Sequence, residues 1–211
     1  MKRIFAVLML CALFCIPASA AEPIKIGEIA TVTGDFAAYG VAEVESVKIA
    51  VKEINEAGGI LGRPVELIMY DCRTRNEDMV NAARRLVQQD KVAAVIGPSG
   101  SGLCISAASV FNDGKVAHIG TLPTNPLVTV DDAGKVKPYT FRICFQDPYQ
   151  GRILAIFAAQ NLKAKKAGVL HDVGSDYSQG LREFFVQDFI AYGGEIAADE
   201  GHRSDDVDFR A

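Results

Sequence analysis

The residues best placed for chemistry lie in one loop, Gly97-Pro98-Ser99-Gly100-Ser101-Gly102-Leu103-Cys104. Its first and last glycines have the separation of a phosphate-binding loop. The next two positions, however, are Leu103 and Cys104 rather than Lys and Ser/Thr. Without the Lys there is no charge for the β- and γ-phosphates, and without the hydroxyl there is no magnesium ligand. What remains is a set of free backbone N–H groups, a positive helix end and the Ser101 hydroxyl. Together with the Gly102 backbone, these suit a smaller, singly charged anion such as a carboxylate. A nucleophile elbow needs Gly on both sides of its Ser at fixed spacing, and neither Ser99 nor Ser101 has that.

Other candidates are weaker. His118, His171 and His202 have no metal-ligand spacing and read as ordinary strand-end or loop residues. Asp113, Asp131 and Asp132 read as solvated loop charges. The rigid turn Thr121-Leu122-Pro123-Thr124-Asn125-Pro126 exposes carbonyls and the Thr124 hydroxyl, acceptors that suit an ammonium. Tyr39 and Tyr177 stand where they would wall an apolar side chain. Nothing in this set makes a catalytic constellation, a metal centre or a cofactor cradle. Binding without catalysis is expected.

These residues need elements to position them. Ile24–Ala30 is apolar at alternate positions and predicts a strand. Val44, Val47, Val51 and Ile54 recur at helical spacing, and Gly58-Gly59 stops that helix. Further strands are predicted over 65–70, 92–96, 116–119, 167–171 and 194–199, with an extended stretch over 139–145. Helices are predicted over 78–89, from the 97–102 loop to 112, over 149–160 and over 176–192. Strands separated by helices of a dozen or more residues indicate parallel βαβ units in a doubly wound α/β sheet. Such sheets bind ligands outside the carboxyl ends of their strands, where 97–104, 120–126 and 171–177 fall. The segment 120–150 has the loosest composition, and a domain boundary is expected near 142–147.

Composition sets the outer bounds. A chain with 49% hydrophobic and 23% charged residues is neither disordered nor collagen-like. The net charge of −4 comes without a basic run, which argues against nucleic acid as a partner. Lys2 and Arg3, the uncharged apolar run 4–16, Pro17 and Ala18-Ser19-Ala20 have the order of a secretory signal cleaved after Ala20. The apolar run is too short to span a bilayer, so an exported protein is expected. Cleavage takes the 22 basic residues to 20 against 26 acidic ones, a charge of −6. It also leaves Cys72, Cys104 and Cys144. Adjacent strand ends would bring Cys72 to Cys104, so one disulfide plus a free thiol is one expectation; three buried thiols is the other.

The order of these pieces resembles the periplasmic substrate-binding proteins of branched-chain amino acid ABC transporters, the Leu/Ile/Val-binding type. The matching stretches include Ile54-Asn55-Glu56-Ala57-Gly58-Gly59-Ile60-Leu61-Gly62, Val95-Ile96-Gly97-Pro98, Thr124-Asn125-Pro126, Phe141-Arg142, Asp147 with Gln150-Gly151, and Tyr177-Ser178-Gln179-Gly180. The resemblance implies two α/β lobes of the type I periplasmic-binding-protein fold with a ligand trapped between them. On that basis 1–20 is the signal, 21–142 a first lobe lacking its returning segment, and 143–211 a crossing and the start of an incomplete second lobe. By resemblance, Ser101 holds the α-carboxylate of an amino acid. Leu122, through its backbone, and Thr124 serve the α-ammonium side. Tyr39 and Tyr177 are aromatic walls.

The expected activity is non-catalytic delivery of a branched-chain or related apolar amino acid to a membrane permease, by a periplasmic monomer without cofactor or metal. Two alternatives keep the fold: a sensor region for amides, urea or aromatic acids, and a truncated remnant of a receptor. Family members are longer, so the acidic partner of the ammonium is expected beyond residue 211.

Overall fold

The computed structural model describes residues 22–210. The expected signal and its cleavage site lie outside the described residues. Among the described residues seven strands and five α-helices follow one another along the chain, with no α-helix between the fourth and fifth strands. They are β1 (Ile24–Ala30), α1 (Ala37–Glu56), β2 (Val65–Asp71), α2 (Asn76–Arg84), β3 (Ala94–Ile96), α3 (Ser101–Gly114), β4 (Ala117–Gly120), β5 (Thr140–Arg142), α4 (Asp147–Ile156), β6 (Lys166–Asp172), α5 (Asp176–Ala191) and β7 (Glu195–His202).

The first five strands form one all-parallel sheet in the order β2-β1-β3-β4-β5. The pairing of β6 with β7 makes a second, two-stranded parallel sheet. This is the doubly wound α/β arrangement that the alternating pattern predicts. Among the described residues no helix is long and apolar enough to cross a membrane.

The pleat of β1 divides the first sheet into two faces. Ile29 packs with Met79, Leu86, Val95, Leu103 and Phe111 in the core shared with α2 and α3. Each such side chain contributes roughly 1.5–3 kcal/mol on leaving water. Glu28 points to the opposite face, where Glu43 of α1 lies close enough to interact with it electrostatically. Helix α1 stops where the glycine pair predicts: Gly58 and Gly59 take φ of +98° and +78°, and the Gly59 N–H closes on the Ile54 carbonyl at 2.8 Å.

Two helices differ from expectation at their ends. Helix α2 runs on into a π-helical turn over Arg85–Asp90, and α4 into another over Phe157–Asn161. Strand β3 is only Ala94–Ile96, because Val92 already turns inward from the preceding loop to join the α2–α3 core.

Cys72, Cys104 and Cys144 are all free thiols, which corrects the expected Cys72–Cys104 disulfide. Cys72 is buried in the α2–α3 core, whereas Cys104 turns its Sγ to the Pro98 carbonyl at 3.4 Å. Burial pushes the Cys72 thiol up to about 11 and Cys104 higher still, so both stay protonated.

Candidate ligand-binding site

Four segments meet at the carboxyl ends of the strands: the start of α1, the loop 97–102 after β3, the turn 120–126 after β4, and the start of α5. The loop 97–102 leads straight into α3. Gly100, its N-cap, offers no side-chain acceptor to the first N–H groups of the helix, and these have no partner within the helix either. Ser101 is only 4% exposed. Its Oγ accepts the Asn125 N–H at 3.3 Å and so ties the loop to the turn.

The turn is held open by Arg142 of β5. Its guanidinium donates to the carbonyls of Pro123 (3.1 Å), Asn125 (2.7 Å) and Pro126 (3.1 Å) and to Thr129 Oγ1 (2.7 Å). Four bonds from one planar group leave the turn little freedom. Thr124 is 7% exposed and its hydroxyl has no hydrogen-bond partner. Its carbonyl accepts the Asp147 N–H at 3.0 Å. The Asp147 side chain is fully buried, and neither oxygen is hydrogen-bonded. Burial pushes its carboxyl up; the Thr124 hydroxyl, near but outside hydrogen-bond geometry, and the Arg142 charge pull it back. Leu122 leaves its side chain half exposed at the mouth of the turn.

The start of α5 closes the group. Ser175 caps it, accepting the Ser178 N–H at 3.2 Å. Asn125 Nδ2 donates to the Asp176 carbonyl at 2.7 Å, joining turn to helix. A Cβ added to Gly102 would lie 2.7 Å from Asp176 Oδ2, so this carboxylate sits against the first turn of α3. Tyr177 is exposed and its hydroxyl accepts from Gln150 Nε2 at 3.1 Å. Tyr39 is exposed on α1, edge-on to Phe36 at 6.4 Å, and Phe36 in turn abuts Gly100. A hollow of about 410 Å³, lined by Asn125, Leu127, His171, Asp176, Arg182 and Phe184, lies between turn and helix.

The structure therefore joins Ser101, Gly102, Thr124 and Tyr177 through Asn125 and Asp176. It links Tyr39 to the loop through Phe36. Arg142, Asn125 and Asp176 are the organising residues that sequence reasoning passed over. Arg142 and Asn125 stood inside matched stretches without a role; Asp176, in the first turn of a helix, reads as a solvated charge. His118, expected to be an ordinary histidine, is fully buried. It lies on Phe111 at 4.2 Å with Nε2 on the Gly97 carbonyl at 2.7 Å, so it braces the loop from below. Chemically the site combines the uncapped N–H groups of α3 with the hydroxyls of Ser101 and Thr124. Among the described residues no three His, Cys, Asp or Glu are grouped to hold a metal.

The family model described as periplasmic binding protein matches residues 23–211. The Leu/Ile/Val-binding protein BraC3 of Rhizobium johnstonii is 33% identical over 189 residues, covering 89% of this chain and 50% of its own. Among solved structures, the leucine-binding protein LivK of Thermotoga maritima is 37% identical with a TM-score of 0.78, over 88% of this chain and 51% of that one. The branched-chain amino acid transporter substrate-binding protein LivJ of Streptococcus pneumoniae, in complex with isoleucine, is 35% identical with a TM-score of 0.80, over 90% and 52%. The chain spans about half the length of the curated relatives it matches.

Proposed function

The chain belongs to the periplasmic binding protein family, and from that premise we propose that it acts as an extracytoplasmic receptor for a small amino acid. It would deliver that ligand, chemically unchanged, to the permease of an ABC transporter in the membrane. The observation that carries the reading is the start of α3. Helix N–H groups without a capping side chain lie there beside the Ser101 hydroxyl, in a fold shared with a protein solved with isoleucine. In this reading α3 and Ser101 take the ligand carboxylate. The Leu122 carbonyl and Thr124 hydroxyl take the ammonium, and Tyr39 and Tyr177 flank the side chain. The exported location follows the expected signal and the family.

Calorimetric titration of the chain with L-leucine and L-isoleucine tests this. Binding of one ligand per chain is expected. Ser101→Ala should weaken it about tenfold, as loss of one hydrogen bond to a charged group does. Absence of binding to any amino acid, amide or small carboxylate would overturn it.

A further inference from the structure

Beneath the loop 97–102 and the turn 120–126 stands a carboxylate with no role assigned so far. Glu43 Oε1 accepts the Thr121 hydroxyl at 2.7 Å, and Oε2 accepts the Ser99 hydroxyl at 3.2 Å. Those two hydroxyls are themselves 3.4 Å apart. Ser99 lies two residues before Ser101, and Thr121 immediately precedes Leu122. Glu43 is one helical turn beyond Tyr39 and so shares its face of α1. Its packing against the loop is tight. Gly97 has φ of +79°, and a Cβ there would lie 2.6 Å from the Ile29 carbonyl and 2.8 Å from Glu43 Oε1.

We propose that Glu43 is a positioning residue of the ligand site, its carboxylate clamping the loop 97–102 to the turn 120–126 and both to α1. This rests on reading those two segments as the ligand-contacting ones. The two segments belong to different strand ends; besides the Ser99 and Thr121 hydroxyls that Glu43 gathers, Ser101 Oγ joins them by accepting the Asn125 N–H. With both links in place the carboxylate-binding and ammonium-binding groups keep a fixed separation. With one link the segments can pivot.

The groups around Glu43 favour a clamp over a charge site. Among the described residues no Lys or Arg forms an ion pair with it. Glu28 of β1 stands beside it, fully buried, with neither oxygen hydrogen-bonded. Glu45 and Lys48 of α1 act on Glu28 with opposite sign. Cys104 of α3 is a protonated thiol, and His118 of β4 bonds the Gly97 carbonyl. The Glu43 charge is met by hydroxyl donors alone. Burial pushes its carboxyl up, and the Ser99 and Thr121 hydroxyls hold it back.

The test compares wild type with Glu43→Ala, Glu43→Gln and Thr121→Val. Two measurements are made on the chain: backbone amide chemical shifts without ligand, and calorimetric titration with L-leucine. A glutamine keeps an acceptor for one hydroxyl and a donor for the other, so E43Q retains the clamp without the charge. Expected for E43A are displaced amides in both 97–102 and 120–126 and leucine binding weakened about tenfold or more. E43Q should keep affinity within about threefold and leave the amides of 97–102 and 120–126 close to their wild-type shifts. T121V, which keeps the carboxylate, should move the amides of 120–126 and leave Ser99 and Ser101 in place.

Unmoved amides in E43A and T121V would overturn the proposal. So would an E43Q as damaged as E43A, because that would make charge rather than the clamp the working feature. If the amides respond as expected while wild type takes no leucine, the clamp stands and the receptor reading falls.

Discussion

Two buried titratable side chains act on stability with opposite sign. The carboxyl of Glu28 is pushed up to about 7, first by burial and then by Glu43. From its ordinary value to about 7, the folded protein holds a proton that the unfolded chain has released. Glu28 therefore stabilises at low pH, and that contribution is lost as pH rises through about 7. His118 is pushed down to about 4 by burial, against its bond to the Gly97 carbonyl. Here the unfolded chain binds the extra proton, so stability is lost as pH falls from the ordinary histidine range toward about 4. Each effect is on the order of 3 kcal/mol, and over the shared window they offset one another. Wild type should therefore show a nearly level urea midpoint between pH 4.5 and 7. Glu28→Gln removes one side of the balance, and its midpoint should fall steadily with acid. A Glu28→Gln profile as level as wild type would show that His118 carries no such load.

At the scale of elements, the amino ends of α3 and α5 converge, and the carboxylate of Asp176 lies between them. It occupies the first turn of its own helix and rests against Gly102 of the other. A carboxylate at a helix amino end contributes roughly 0.3–1 kcal/mol. Asp176→Asn should cost about 1 kcal/mol of stability, read from urea unfolding. In the proposed receptor Asp176 also competes with the ligand carboxylate for α3, so the same variant should bind L-leucine more tightly than wild type. Weaker binding would mean that Asp176 helps to shape the site instead.

This convergence also marks where the sequence stops being legible. The strands and helices were readable because alternation and three-to-four spacing record burial directly: β1 and the glycine stop of α1 fall where the pattern puts them. The loop around Ser101 and the turn around Thr124 were readable because each follows a strand end. Glu43 and Asp176 were not, since an acid on a helix looks like solvated charge until folding brings another chain segment against it. Nor could spacing show that Cys104 turns to Pro98 rather than to Cys72, because that depends on the rotation of α3.

Across the whole molecule, packing is uneven. The five-stranded sheet carries a continuous core under α2 and α3. The β6–β7 pair is a two-stranded sheet packed by α5, against which α4 lies, and its neighbourhood leaves large apolar side chains in solvent: Ile143 at 75%, Phe145 at 58%, Phe157 at 51% and Leu170 at 59%. Two strands alone are marginal, and this pair gains most of its support from one face. Local opening should therefore be easier there than in the first sheet. Hydrogen exchange followed by mass spectrometry should show β6 and β7 exchanging at least about a hundredfold faster than β1 and β3, a gap of roughly 3 kcal/mol in opening free energy. A dye that fluoresces on apolar surface should bind the folded chain. Saturating L-leucine, if it bridges α3 and α5 as proposed, should slow exchange in β6 and α5 while leaving β1 unchanged, because a ligand stabilises only the openings that break its site. Uniform protection across both sheets would show that the second sheet borrows its stability from the first through Asn125 and α5. In that case the two would open as one unit.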